Sequence, residues 1–141
     1  MNNLTGADPE TLIGQAREAL SNAYSPYSHV RVGAALISTS GKIYTGCNVE
    51  NMSYGLTNCA ERTAVFKGVS EEGEGFKIIA IAVVAEKEGA PFPIPPCGAC
   101  RQVLLEFAQS SASQCFFVGK NGALVTWQIA DLLPEAFRSE E

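Results

Sequence analysis

Nothing in this sequence approaches the run of roughly 20 apolar residues that a membrane-crossing helix needs. The opening MNNLTGADPE has neither a basic start nor an apolar core, so it is not read as a secretory leader, and a cytoplasmic protein is expected. Basic charge is scarce: 10 Lys and Arg stand against 15 Asp and Glu, for a net charge of -5. The few cations are scattered and form no stripe. Binding to nucleic acid draws much of its affinity from phosphate neutralisation, so no DNA or RNA partner is expected and a small-molecule substrate is favoured. Internal repeats, low-complexity tracts and linkers are also missing. The 141 residues therefore read as one domain, 1–141, long enough to bury a single core. Histidine occurs once, as His29, beside a strand start and far upstream of the cysteine motifs, and is read as a surface or interface residue.

What the chain does have is five cysteines. An odd number in a reducing compartment argues against a disulfide framework and leaves metal binding, redox chemistry or burial. Spacing separates these possibilities. Cys115 opens the apolar run CFFVGK and reads as a buried small hydrophobe, and Cys47 is read as a non-ligand. Cys59, Cys97 and Cys100 lie in NCAER and PCGAC, each near the start of a helical pattern.

Asp8 as N-cap, Pro9 at the first helical position and Leu12, Ala16, Ala19 and Leu20 at helical spacing predict an opening helix. Val30–Ile37 and KIYTG predict two strands joined as a hairpin around Gly41-Lys42. CAERTAVFKGVS predicts a helix ending near Gly68. Lys77–Ala85 is almost wholly apolar, as in a strand covered on both faces. Beyond the loop PFPIPP, CGACRQVLLEFA predicts a further helix. CFFVGK and ALVTW predict strands joined at Asn121-Gly122, and Ile129–Phe137 a terminal helix broken at Pro134. Trp127 reads as a core or interface residue. The order of elements predicts an α/β protein, a three-layer α/β/α sandwich around a mixed five-stranded sheet.

A zinc-ligating thiol must be deprotonated, and helix N-termini favour negative charge. Cys97 and Cys100, two residues apart, can aim both sulfurs at one ion from a single helical turn. With Cys59 they make three ligands, which leaves a fourth tetrahedral position for water, as at a catalytic site. Glu61 lies two residues past Cys59, placed to take a proton from that water and pass it to substrate. Arg62 is expected to offset the charge of three thiolates by hydrogen bonding one of them.

CAER followed by PCGACRQ resembles the signature shared by zinc deaminases, a ligand, one residue, a Glu, then P-C-x-x-C. PYSHVRVGAAL, GCNVEN, SYG, CAERTA, PCGACRQVL and LLPEAF together resemble the homotetrameric cytidine deaminases, from about Ala23 to Phe137. The resemblance implies one Zn2+ per subunit and hydrolytic deamination of cytidine and 2′-deoxycytidine in pyrimidine salvage. It implies a homotetramer with active sites at subunit junctions. It further assigns Asn48 and Glu50 to the ribose hydroxyls, the backbone of Ala60 to the pyrimidine edge and Phe137 to the base in a neighbouring subunit. Tyr54 falls near the subunit junction. Val30 departs from the pattern, which usually has an aromatic there to pack on the nucleoside.

Four other readings fit parts of the sequence. A blasticidin-type deaminase shares the three-cysteine site but does not account for NVEN or Phe137. A deaminase of polynucleotides conflicts with the charge. A closed structural zinc module needs a fourth ligand, Cys47 or Cys115. A thiol redox protein would carry no zinc.

Overall fold

The computed structural model of the chain describes residues 8–139; the segment 1–7, read above as carrying no leader, lies outside them. Helix α1 (Pro9–Leu20) starts as its sequence requires. The carboxylate of Asp8 accepts from the Thr11 amide at 3.0 Å and the Thr11 hydroxyl at 2.8 Å, and Pro9 fills the first turn. Leu12, Ile13, Ala16 and Leu20 form its buried face.

Strands β1 (Val30–Ser38) and β2 (Ile43–Cys47) pair antiparallel with Ala35 opposite Thr45. Helix α2 (Ala60–Glu72) leads into β3 (Ile78–Lys87), which pairs antiparallel with β1. A two-residue strand, β4 (Ala90–Pro91), folds back on the end of β3. Helix α3 (Gly98–Phe107) then crosses over to β5 (Gln114–Val118), parallel to β3, and β6 (Leu124–Gln128) returns antiparallel to β5. The sheet order β2-β1-β3-β5-β6 is the expected mixed five-stranded arrangement, with β4 as a short addition at its margin.

Both faces of the sheet are covered, which explains why β1 and β3 are apolar at nearly every position. Val32, Ala34 and Leu36 pack with α2 and α3 through Ala64, Val65 and Leu104. Their neighbours Ala35 and Ile37 point the other way, against Leu12, Ala16 and Leu20 of α1. Strand alternation thus divides one sequence run between two cores.

Two expectations are corrected. Helix α2 continues past Gly68 to Glu72, because Gly68 serves packing and not termination: a Cβ there would stand 2.3 Å from Cε1 of the buried Phe76 ring. The terminal helix does not form. Ile129–Leu132 makes a 3₁₀ turn, Leu133 before Pro134 leaves the helical region, and Glu135 takes φ 52°. Trp127, read as a core or interface residue, lies on the edge strand β6 and is 45% exposed, which rules out the core alternative and leaves the other.

Gly46 brings α2 directly onto β2. A Cβ at this position would lie 2.6 Å from the Ala64 amide nitrogen and 2.7 Å from the Ala60 carbonyl oxygen. The absence of a side chain fixes how deep the first turns of α2 sit.

Candidate active site

The N-termini of α2 and α3 converge, and both N-cap positions are cysteines. Cys59 caps α2 and Cys97 caps α3 through their backbone carbonyls, which accept from Thr63 and Arg101. Neither sulfur is spent as a side-chain cap, so both are left to face each other at the helix ends. Cys100, buried in the first turn of α3, completes the group, its Sγ and the other two lying within 4.8 Å of one another. Two sulfurs bound at about 2.3 Å to one tetrahedral zinc stand about 3.8 Å apart. The Cys59–Cys97 separation is 3.7 Å. The donor set and this spacing therefore fit zinc. Among the described residues no other group of cysteine, histidine and carboxylate side chains is so placed. Cys115 is buried in β5, as expected, and neither it nor Cys47 joins the cluster.

Charge at the cluster is balanced by Arg62, whose Nη2 donates to Cys59 Sγ at 3.2 Å. The Cys59 thiol is held well below its ordinary value, first by the hydrogen bond from Cys100 and then by Arg62. Cys100, the donor in that pair, is pushed up. Arg62 itself is driven further toward the cation, chiefly by Cys59. Its Nε is buried with no partner, so the thiolate and its surroundings are what hold the guanidinium in place.

Glu61 projects from the same turn and is only 4% exposed. Burial, with the nearby Cys59 charge adding to it, raises its carboxyl to about 7. A buried carboxyl titrating near neutrality can both accept and release a proton at working pH.

Glu61, Cys59, Cys97, Ala60, Asn48 and Val30 line one cavity of about 190 Å³. Val32 and Ile94 give it apolar walls. Asn48 is buried and tied to β1: its Oδ1 accepts from Val32 N at 2.9 Å and its Nδ2 donates to Val30 O at 2.9 Å. Each end of the amide keeps one further bonding position. Glu50 borders the adjoining cleft with Tyr27 and Tyr54. Partial burial raises its carboxyl, but the Ser28 hydroxyl and the Tyr27 and Ser28 amides all donate to it, and the net shift is downward.

Phe137 does not line the cavity of its own chain. The residue is 85% exposed, while its carbonyl accepts from Gln102 Nε2 of α3 at 2.8 Å. Tyr54 is likewise 75% exposed, packed edge-on against Tyr27 with ring centroids 6.0 Å apart. His29, at φ 61°, lies in an open polar cleft away from the cysteines.

Sequence reasoning missed Ser28, Val32, Thr57, Ile94 and Pro95, all of which line the cavity. The last two had a signal, since PFPIPP abuts the cysteine motif. Arg101 was also missed: Nε donates to Pro96 O at 2.7 Å and Nη1 to Leu132 O at 3.1 Å, pinning the loop that carries the wall.

The family model for the cytidine and deoxycytidylate deaminase zinc-binding region matches residues 7–116. A cytidine deaminase of Sporosarcina psychrophila is 48% identical over 134 residues, 95% of this chain and 94% of that one. One from Halalkalibacterium halodurans is 45% identical over 134 residues, 95% and 97% of the two chains. Among solved structures, the cytidine deaminase of Burkholderia pseudomallei superposes with a TM-score of 0.77 at 47% identity, covering 91% of this chain and 98% of that one.

Proposed function

The chain belongs to the cytidine and deoxycytidylate deaminase family, and from that premise we propose that it hydrolyses cytidine and 2′-deoxycytidine to the uridine nucleosides and ammonia. The single observation that carries this reading is the buried Glu61 lining the same cavity as Cys59 and Cys97, beside three sulfurs spaced for zinc.

Cys59, Cys97 and Cys100 would hold the zinc, which would supply a nucleophile at neutral pH by acidifying water. Glu61 takes the proton from the attacking water and delivers it to the ring nitrogen beside the amino-bearing carbon. As the water oxygen bonds to that carbon, Glu61 carries the remaining proton of that oxygen to the amino group, the C–N bond breaks and ammonia leaves. Arg62 draws charge from Cys59, easing the loss of that first proton. Val30, Val32 and Ile94 exclude water around the base, the Ala60 backbone meets the pyrimidine edge, the Asn48 amide bonds the ribose and the Glu50 carboxylate accepts from its hydroxyls.

A cavity of about 190 Å³ is smaller than the roughly 300 Å³ at the low end of small-molecule sites. Tyr54, on the adjoining cleft, is exposed, and Phe137 stands outside its own chain's cavity. These features support a homotetramer in which Phe137 of a neighbouring copy closes the site over the base. The whole chain acts as one domain, in the cytoplasm, in pyrimidine salvage. Among the described residues no helix is long and apolar enough to cross a membrane.

Steady-state rates on cytidine and on blasticidin S, from absorbance loss with zinc content measured on the same sample, test the reading. The expected result is turnover of cytidine with about one zinc per chain. Faster turnover of blasticidin S would reassign the substrate, and a zinc-free active protein would remove the mechanism.

A further inference from the structure

A second cavity, of about 330 Å³, lies on the α1 face of the sheet, opposite the cysteine site. It opens between the end of α1, the end of β3 and the turn joining β5 to β6. The C-terminal ends of neighbouring parallel strands, here β3 and β5, are where α/β sheets commonly take ligands. Leu20, Val84, Phe92 and Val118 give it an apolar floor. Arg17 and Lys120 bring two cations to it against the single carboxylate of Glu86, in a chain whose net charge is -5. Its volume falls within the range of about 300–1,000 Å³ typical of small-molecule sites, which the catalytic cavity of one chain does not reach.

We propose that this cavity is a second ligand site, for a compact amphipathic anion with an apolar or aromatic body and one phosphate or carboxylate group, and that its occupancy alters catalysis. The coupling runs through one short segment. Pro91, Phe92 and Pro93 line the second cavity, and Ile94, Pro95 and Cys97, directly following, line the catalytic one. Proline fixes φ at four of the six positions from Pro91 to Pro96, and Arg101 ties the Pro96 carbonyl to α3. A segment this stiff passes a displacement at Phe92 to Ile94 and Pro95 instead of absorbing it. By linkage, a substrate that moves the catalytic wall also changes affinity at the second site. The catalytic half of the proposal rests on the deaminase reading; the binding half does not.

The test titrates phenyl phosphate into the zinc-loaded, full-length protein with saturating uridine present, following backbone amide shifts. Saturable shifts are expected at Val84–Glu86, Phe92 and Lys120, with inorganic phosphate binding more weakly. The double variant Arg17→Glu/Lys120→Glu should lose affinity about tenfold or more. Saturating phenyl phosphate should change KM or kcat for cytidine at least twofold in the wild type and leave the double variant unmoved. Absence of saturable shifts, or an affinity indifferent to charge reversal, overturns the site. Unchanged kinetics at full occupancy overturns the coupling. A protein that binds the probe but never deaminates cytidine contradicts the deaminase reading and leaves the site standing.

Discussion

The Nη2 of Arg62 stands 3.2 Å from the sulfur of Cys59, its neighbour one turn back along α2. Ligand and counter-charge therefore ride on one rigid element, and their spacing is set by helical geometry. Arg62→Ala should lower kcat about 10–100-fold while zinc content at saturating metal stays near one per chain. Wild-type turnover in a zinc-replete Arg62→Ala sample would show that the guanidinium has no part in the chemistry.

Depth of α2 on the sheet is set at Gly46, where a Cβ would meet backbone atoms of Ala60 and Ala64 at 2.6–2.7 Å. Backbone cannot rotate aside as a side chain can, so Gly46→Ala should push the first turns of α2 outward. A loss of about 1–3 kcal/mol in unfolding free energy is expected, with a fall in kcat. Gly14→Ala is the matched control: nothing lies within 4 Å of its Cβ position, and the exposed helical site should gain up to about 1 kcal/mol. Denaturant titration of the two variants, with rates, checks both.

The other end of α2 is held by Glu72, whose carboxylate accepts from the Ser38, Ser40 and Tyr44 hydroxyls at 2.8, 2.6 and 2.8 Å. The Ser40 hydroxyl, followed by Tyr44 and Ser38, holds its carboxyl below the usual 4.5 in spite of partial burial. A depressed folded-state value means the stabilisation is complete above 4.5 and is lost as pH falls through the lower, folded value. Glu72→Gln should cost about 1 kcal/mol at pH 7 and flatten the dependence of stability on pH below 4.5. Parallel curves for the two proteins across that window would contradict this role.

How far the sequence carried the structure depended on how local the cause was. Strand alternation in β1 and β3, the Asp8-Pro9 helix start and the cysteine spacing are written in neighbouring residues, and all three were legible. Gly68 looked like a helix end because its real partner, the Phe76 ring, returns from beyond the helix. The terminal helix was read from apolar spacing, and the local backbone at Leu133 and Glu135 overrode it. The bonds from Ser28 and Tyr27 to Glu50 join residues more than 20 positions apart, which no periodicity reveals.

Val30 forms part of the cavity wall with an aliphatic side chain. An aromatic ring there could stack on the pyrimidine for roughly 1 kcal/mol. Val30→Phe should therefore lower KM for cytidine about fivefold with little change in kcat. An unchanged or raised KM would show that other residues already close this wall.

In the proposed mechanism Glu61 is the proton carrier. Turnover of cytidine by Glu61→Gln, measured by absorbance loss alongside zinc content and a circular dichroism spectrum of the same sample, tests that directly. The expected result is a folded, zinc-replete protein that has lost nearly all activity. Substantial turnover with zinc in place would contradict the mechanism.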